Sequence, residues 1–350
     1  MPKIALYSTP PAKNGDAVPN VVITGGAGFL GSRLARDLLA AGSLDVAGAG
    51  ERPLSQVTLL DQAPAPPDLA ADPRVAVLEG DLGGLMAPGQ AGREALAAAD
   101  VVFHLAAAVS GECEADFDLG IRANLHATEA LLAACRAVGT SPMVVYSSSI
   151  AVFGGSPEHP LPAVVEDGTL PDPQTSYGIQ KFIGEQLLAD YTRKGFLRGR
   201  SIRLMTVSVR PGRPNGAASG FMSGIIREPL AGQRAVCPVG PAAEVALASP
   251  ARAIGALRCA ATSPDDMWGG RTAVTMPGLT VTVGEMVAAL EQVAGPSVTS
   301  LIDWVPDPVV AGMVAGWAAR FHSDRAAGLG LAPDPDFTSI IRAHLAETRT

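Results

Sequence analysis

Three side chains of the sequence, Ser149, Tyr177 and Lys181, have the chemistry to remove a proton from a hydroxyl group. Tyr177 and Lys181 are four residues apart, so on a helix their side chains share one face. A free tyrosine has a pKa of about 10 and is a poor base at neutral pH. Because a nearby ammonium group favours the phenolate, we expect Lys181 to lower the pKa of Tyr177. Ser149 ends an apolar run and is placed to orient a substrate oxygen.

A Tyr-x-x-x-Lys spacing also arises by chance, and an exposed pair on a helix is then the ordinary interpretation. In this sequence the pair follows a glycine-rich turn, further apolar runs and the serine-rich segment 147–149, in that order. This order favours a catalytic set, in which tyrosinate takes the proton of a hydroxyl group while hydride leaves the carbon that bears this hydroxyl.

The glycine-rich turn is TGGAGFLG, from Thr24 to Gly31. Gly25 permits a tight turn, Gly28 lets the backbone approach a pyrophosphate, and Gly31 lets the next helix pack closely on the sheet. The helix that follows offers free N–H groups and a partial positive charge to an anion. The pattern predicts a dinucleotide site; the alternative is a loop that merely needs positive φ angles.

Asp61 ends the next apolar run and is the expected partner of an adenosine ribose. Its charge would repel a 2′-phosphate, so we expect NAD rather than NADP. Asp61 lies 36 residues after Gly25, whereas the usual gap is about 20 residues, and we assign the excess to a loop over 42–56. Arg52 in that loop leaves NADP open, and a solvated aspartate is the alternative role for Asp61.

Apolar runs alternate with helical patterns along the chain, which is typical of a parallel sheet covered on both faces. The fold class is therefore α/β, a doubly wound parallel sheet of the Rossmann type with a smaller C-terminal α/β substrate-binding part. The ligand is expected at the carboxyl ends of the strands. The predicted strands are 21–24, 57–60, 75–78, 101–105, 143–146 and 202–209, and two long helices are 121–137 and 177–193.

The composition changes along the chain and predicts a domain organisation. We expect a flexible leader over 1–19, an NAD-binding domain over 20–205, and a mainly substrate-binding domain over 206–350. Residues 250–276 are expected to return to the first domain. The longest apolar stretch, 309–321, predicts a buried helix.

Composition and charge exclude several classes of partner. Hydrophobic residues make up 47% of the chain and charged residues 17%, enough for a large core. The net charge is −8, from 26 Lys and Arg against 34 Asp and Glu, which argues against nucleic acid. No segment resembles a signal peptide or a membrane span. Four scattered cysteines favour a reducing cytoplasm, and neither they nor the five histidines have the spacing of a metal site.

The motifs together resemble the short-chain dehydrogenase/reductase superfamily, in its extended branch of NAD-dependent epimerases and dehydratases. The resemblance covers about residues 20–348. The motifs that carry it are TGGAGFLG, Asp61, Gly80-Asp81-Leu82, His104-Leu105-Ala106-Ala107, Asn124, SSSIAVFG and Tyr177-x-x-x-Lys181.

The resemblance implies roles for residues that spacing alone does not assign. Asp81 and Leu82 are expected beside the adenine, Asn124 to support the active-site helix, and Lys181 to grip the nicotinamide ribose. Tyr177 becomes the acid/base. The expected cofactor contacts are Gly25, Gly28, Phe29, Leu30, Gly31, Asp61, Asp81, Leu82, Leu105, Ala106, Ala107, Asn124, Tyr177, Lys181 and Thr206.

The substrate side departs from the nucleotide-sugar enzymes of this branch. Those enzymes usually carry an arginine that meets the diphosphate, but the matching stretch 243–250 has none, and Glu244 has the wrong sign. Segments 109–112, 210–221 and 227–230 instead resemble the D-erythronate dehydrogenase subgroup. That resemblance implies NAD-dependent oxidation of the C2 hydroxyl of a small sugar acid to a 2-oxo acid.

A planar guanidinium suits the carboxylate of such a substrate, and Arg210 and Arg227 are both candidates. Either is alternatively a structural ion pair. Ser110, Asn215 and Ser219 are expected to bind hydroxyl groups, beside Ser149 and Tyr177. Two other functions stay open, a nucleotide-sugar epimerase or dehydratase and a non-catalytic dinucleotide sensor. Relatives commonly form homodimers through helices like 121–137 and 177–193.

Overall fold

The computed structural model describes residues 18–156, 158–211 and 218–348. Numbered along the chain, its strands are β1 (Asn20–Thr24), β2 (Ser43–Asp45), β3 (Glu51–Pro53), β4 (Gln56–Asp61), β5 (Val75–Glu79), β6 (Val101–His104), β7 (Met143–Ser149), β8 (Arg198–Leu204), β9 (Thr206–Val207), β10 (Ala235–Cys237), β11 (Glu244–Ala248), β12 (Val274–Thr275), β13 (Leu279–Thr282) and β14 (Ile302–Trp304). The main feature is a seven-stranded parallel sheet in the order β12-β8-β7-β6-β1-β4-β5.

Helices connect most of these strands and cover the sheet. They are α1 (Phe29–Ala41), α2 (Pro67–Ala70), α3 (Leu82–Leu85), α4 (Ala91–Ala98), α5 (Ser110–Ala115), α6 (Phe117–Gly120), α7 (Ala127–Val138), α8 (Ser176–Arg193), α9 (Phe221–Leu230), α10 (Pro250–Thr262), α11 (Asp265–Trp268), α12 (Val283–Ala294), α13 (Pro296–Thr299), α14 (Pro308–Ala315), α15 (Asp324–Gly328) and α16 (Phe337–Thr348). A π-helical segment, Ile121–His126, leads into α7, and Ile150–Val152 and Ala218–Gly220 are short 3₁₀ turns.

Both faces of the large sheet are buried, because successive strand residues point to opposite sides. Ile23 of β1 joins a core with Leu34 and Leu38 of α1. Its neighbour Val22 faces the other way and joins a second core with Leu131 of α7. The predicted class, a doubly wound α/β sheet, is confirmed.

The later part of the chain has a core of its own, in which α9, α12 and α16 pack together. Its small sheet joins β11 to β9 and β13, and β10 pairs with β14. Residues 250–276 lie against the large sheet: β12 pairs with β8, and Leu257 of α10 belongs to the core around α1. The boundary at 205/206 stays a prediction.

Two local expectations are wrong. Segment 42–56 is not a plain loop, because β2 and β3 form an antiparallel pair within it. The apolar stretch 309–321 is not a buried helix: α14 ends at Ala315, and Val309 is 67% exposed while Val314 is buried. Apolar residues of this stretch line the cleft described in the next subsection, and hydrophobic periodicity does not distinguish such a helix from one in the core.

Across the described residues, no helix is both long and apolar enough to cross a membrane.

A buried histidine links the sheet to the helix beside it. The ring of His104 lies between the hydroxyls of Thr24, 2.7 Å from Nδ1, and Thr128, 2.8 Å from Nε2. Burial, with a smaller effect of the Lys181 charge, lowers the pKa of His104 to about 3. The ring therefore stays neutral in the folded protein at pH values where it is protonated in the unfolded chain.

This difference predicts a loss of stability in acid. Between pH 6.5 and about pH 3 the unfolded chain binds a proton at His104 that the folded protein does not, so the free energy of unfolding falls by up to about 1.4 kcal/mol for each unit by which the pH is lowered. Urea unfolding at several pH values checks this, with His104→Gln as the comparison. The variant should lose less stability on acidification; the same pH dependence in both proteins would contradict the assignment.

Candidate active site

A cleft of about 1200 Å³ lies at the carboxyl ends of the parallel strands, between the large sheet and the C-terminal part. Of the predicted cofactor contacts, all except Asn124 line it. Of the predicted substrate contacts, Ser110, Ser149, Tyr177, Arg210 and Ser219 line it, whereas Arg227 is not among the described lining residues. Asn215 lies outside the described residues.

The glycine turn makes the floor of the cleft. Gly25 has φ +70°, and a Cβ there would lie 2.7 Å from the amide nitrogen of Ala106. A Cβ on Gly31 would lie 2.1 Å from the carbonyl oxygen of Gly25, so Gly31 is needed by the turn itself. Gly28 precedes α1, and none of the described side chains caps that helix or places a carboxylate in its first turn. The open helix end fits a pyrophosphate, so the residues present fit a dinucleotide.

The side chain of Asp61 contacts the backbone of the glycine turn. Its Oδ2 accepts from the N–H of Ala27 at 3.0 Å, and its Oδ1 accepts from Ala63 at 3.1 Å. Asp61 lines the cleft, and a carboxylate that accepts two hydrogen bonds keeps capacity to accept from ribose hydroxyls. Asp81 also lines the cleft and caps α3, where its side chain accepts from the N–H of Gly84.

The catalytic candidates come from neighbouring elements. Ser149 ends β7, and Tyr177 lies in the first turn of α8. The helix approaches the strand end closely, because a Cβ on Gly178 would lie 2.1 Å from the carbonyl oxygen of Ala151. Sequence analysis missed Glu114, which lines the cleft and accepts from the N–H of Ser176 at 2.7 Å.

The charges around Tyr177 differ from the prediction. Burial raises the pKa of Tyr177 to about 12, although a hydrogen bond with Ser149 and the charge of Arg210 act in the opposite direction. Lys181 lies with Nζ 5.6 Å from the Tyr177 ring centre and donates to the carbonyl oxygen of Ser147 at 2.9 Å. Burial also lowers the pKa of Lys181 to about 8. The direction of this shift is opposite to the one expected from Lys181, because in the protein alone the loss of water on burial is the largest effect on the phenol.

Arg210 and Arg227 have different positions. The guanidinium of Arg210 lines the cleft and donates to the hydroxyl of Ser219 at 3.1 Å. Arg227 lies behind it, donates to the carbonyl oxygen of Arg210 at 2.6 Å and forms an ion pair with Glu228. Nη1 and Nη2 of Arg227 are therefore engaged within the protein, which favours Arg210 over Arg227 as the residue that meets a substrate carboxylate.

Asn124 does not line the cleft and instead contacts α8, the helix that the resemblance expects it to support. It is buried behind the cleft wall, where its Oδ1 accepts from the N–H of Ala108 at 2.7 Å. Its Nδ2 donates to Oε1 of Gln180 at 2.8 Å. Asn124 therefore joins the wall of the cleft to α8 rather than contacting a cofactor there.

The outer wall comes from α14 and the residues after it, including Val310, Met313 and Trp317. Chemical motifs do not reveal such a wall. Near it, Glu244 forms an exposed ion pair with Arg320. Glu244 belongs to the stretch in which a diphosphate-binding arginine was looked for, and its charge is thus compensated within the protein. Within the described ranges, no group of three or more His, Cys, Asp or Glu side chains is arranged to hold a metal.

Comparison of the sequence with known proteins identifies its family. The sequence model of the NAD dependent epimerase/dehydratase family matches residues 21–245. A D-erythronate dehydrogenase from Cupriavidus necator is 48% identical over 94% of this chain and 98% of its own length. A D-erythronate dehydrogenase from Haemophilus influenzae is 38% identical over 92% and 97%.

Solved structures agree on the fold. The nucleoside-diphosphate-sugar epimerase from Agrobacterium tumefaciens is 42% identical, with a TM-score of 0.84 over 97% of each chain. The L-threonine 3-dehydrogenase from Trypanosoma brucei, at 21% identity and a TM-score of 0.75 over 95% of this chain and 97% of its own, shares the fold. The expectation of an NAD-dependent dehydrogenase acting on a CH–OH group is confirmed, and the chain belongs to the NAD-dependent epimerase/dehydratase family.

Proposed function

We propose that the protein oxidises the C2 hydroxyl of a small, D-erythronate-like sugar acid to the 2-oxo acid, with NAD as the oxidant. The observation that carries the proposal is the guanidinium of Arg210, which lines the cleft and whose charge acts on the Tyr177 phenol. In a 2-hydroxy acid the carboxylate is next to the carbon that loses hydride. A cation beside the base therefore selects that class of alcohol. The two relatives named D-erythronate dehydrogenase support the same substrate class.

Tyr177, Ser149 and Lys181 divide the work in this proposal. Tyr177 takes the proton from O2, while the hydroxyl of Ser149 holds O2 in line. The ammonium group of Lys181 donates to the carbonyl oxygen of Ser147, one helical turn from the phenol. With NAD bound, it would also bind the nicotinamide ribose. Bound NAD⁺ supplies the carbon that accepts hydride and a positive ring charge that favours the phenolate.

A nucleotide-sugar epimerase is the second candidate, and the 42% identical Agrobacterium structure carries such a name. It would use the same Tyr, Lys and Ser but needs a cation for the diphosphate. The stretch that usually provides this cation has Glu244 instead, and Glu244 is paired with Arg320. A catalytically silent sensor of dinucleotide is a weaker alternative, because it has no need of the complete catalytic set.

We also propose that the protein acts in the cytoplasm and forms a homodimer through Ile121–His126, α7 and α8. The four cysteines are free, and the apolar side chains of Phe117 and Ile179 are exposed near these helices.

A substrate panel tests the proposed function. Aldonic acids of three to six carbons are supplied with NAD⁺, and NADH is followed by absorbance, with UDP-sugars as the comparison. We expect NADH with erythronate or a close relative and none with UDP-sugars, because only the 2-hydroxy acid has a carboxylate on the carbon next to the one that loses hydride. Conversion of a UDP-sugar to its epimer without NADH would instead identify the epimerase.

Replacing the base tests the mechanism. Tyr177→Phe should lower kcat by at least about a hundredfold, the low end for a lost general base. Tyr191→Phe removes a hydroxyl from the same helix, beside Phe196, and is the matched control. Its rate should stay near that of the unsubstituted protein. Near-full activity in a folded Tyr177→Phe protein would contradict the role of Tyr177.

The two shifted pKa values predict the pH dependence of kcat/KM. Below pH 8 the phenolate fraction of Tyr177, whose pKa is raised to about 12, grows about tenfold per pH unit. Above pH 8 Lys181, whose pKa is lowered to about 8, loses its charge and offsets further gain.

Initial rates at subsaturating sugar acid should therefore rise towards pH 8 and then level off. A profile that is flat or falling between pH 6 and 8 would contradict this account. Lys181→Met should remove the levelling near pH 8.

A further inference from the structure

The backbone of Arg210 is held at two points by a single helix. Its N–H donates to the hydroxyl of Ser223 at 3.0 Å, and its carbonyl oxygen accepts from Nη1 of Arg227 at 2.6 Å. Ser223 and Arg227 are four residues apart in α9, so they share one face of the helix. This face, here named the α9 clamp, satisfies both polar backbone groups of one residue.

Each part of the α9 clamp is fixed in turn. Ser223 is 1% exposed. Nη2 of Arg227 is paired with the carboxylate of Glu228, and their side chains are 14% and 15% exposed. A guanidinium held in this way loses little freedom when it binds a carbonyl, because its fork is already oriented. At the far end, the side chain of Arg210 reaches the hydroxyl of Ser219.

We propose that Arg227 is a positioning residue for the substrate carboxylate, which it fixes in place through the backbone of Arg210. The inference rests on the proposed function. The α9 clamp fixes the backbone of Arg210, and the hydroxyl of Ser219 accepts from the end of its side chain. The guanidinium therefore keeps a constant position relative to the Tyr177 phenol. A cation that is free to move would lose that freedom on binding the carboxylate, in the ground state and in the transition state alike, so the acid would bind more weakly.

Kinetics of five variants test the proposal: R227M, R227K, R210M, the double variant R210M/R227M, and the control R234M. Arg234 is also paired with a carboxylate, that of Asp303, but its ion pair is on the surface. R227M should raise KM for the sugar acid about tenfold, the size of one lost hydrogen bond to a charged group, with kcat changed less than about twofold. R227K, which keeps the charge and a donor, should recover part of the loss.

The double variant separates positioning from a general structural effect. If Arg227 acts through Arg210, adding R227M to R210M should change KM by less than about twofold. Independent, multiplying effects of the two substitutions would overturn the proposal, as would an R227M protein with unchanged KM. If R227M does not fold, S223A removes the other contact of the α9 clamp and is judged by the same criteria.

Amide hydrogen exchange provides a readout that needs no substrate. The amide of Arg210 should exchange faster in R227M and S223A than in the unsubstituted protein and in R234M. Unchanged exchange in both clamp variants would overturn the inference even if the sugar acid is a substrate. Absence of turnover with every sugar acid would overturn the proposed function and with it the assigned role of Arg227, while exchange would still report whether the clamp holds Arg210.

Discussion

The position of the Tyr177 phenol, partly buried in the cleft, is the constraint on which the site depends. Loss of water around the phenol raises its pKa to about 12, which makes it a poor donor and, once charged, a strong base. Charges that reach it inside the cleft act more strongly than they would in bulk water, because the cleft screens them less. Arg210 and Ser149 act on the phenol from within the protein. Bound NAD⁺ adds a further positive charge when it occupies the cleft.

The fold meets this constraint with backbone contacts more than with long side chains. Parallel strands end on one edge of the sheet, where the glycine turn, Ser149 and the start of α8 come together. Gly178 allows α8 to approach β7, and Asn124 links α8 to the cleft wall. These contacts are buried and short, so the positions of the reacting groups are decided before any ligand binds.

The sequence was sufficient where a function depends on neighbouring residues. The glycine turn requires glycine at fixed spacing, and a Tyr and a Lys four apart share a helix face, so both could be recognised without a structure. Burial is a long-range property, which is why the direction of the pKa shift of Tyr177 was missed. The choice between Arg210 and Arg227 stayed open for the same reason, since both are arginines near apolar segments. The apolar helix α14 was placed in the core because composition does not distinguish a cleft wall from an interior.

The most direct test of the account is a crystal structure of the protein with NAD and a sugar acid bound together. It should place the substrate carboxylate on the guanidinium of Arg210 and O2 within hydrogen-bond distance of both the Tyr177 phenol and the Ser149 hydroxyl. A carboxylate bound elsewhere in the cleft, with the phenol oxygen out of reach of O2, would contradict the central claim.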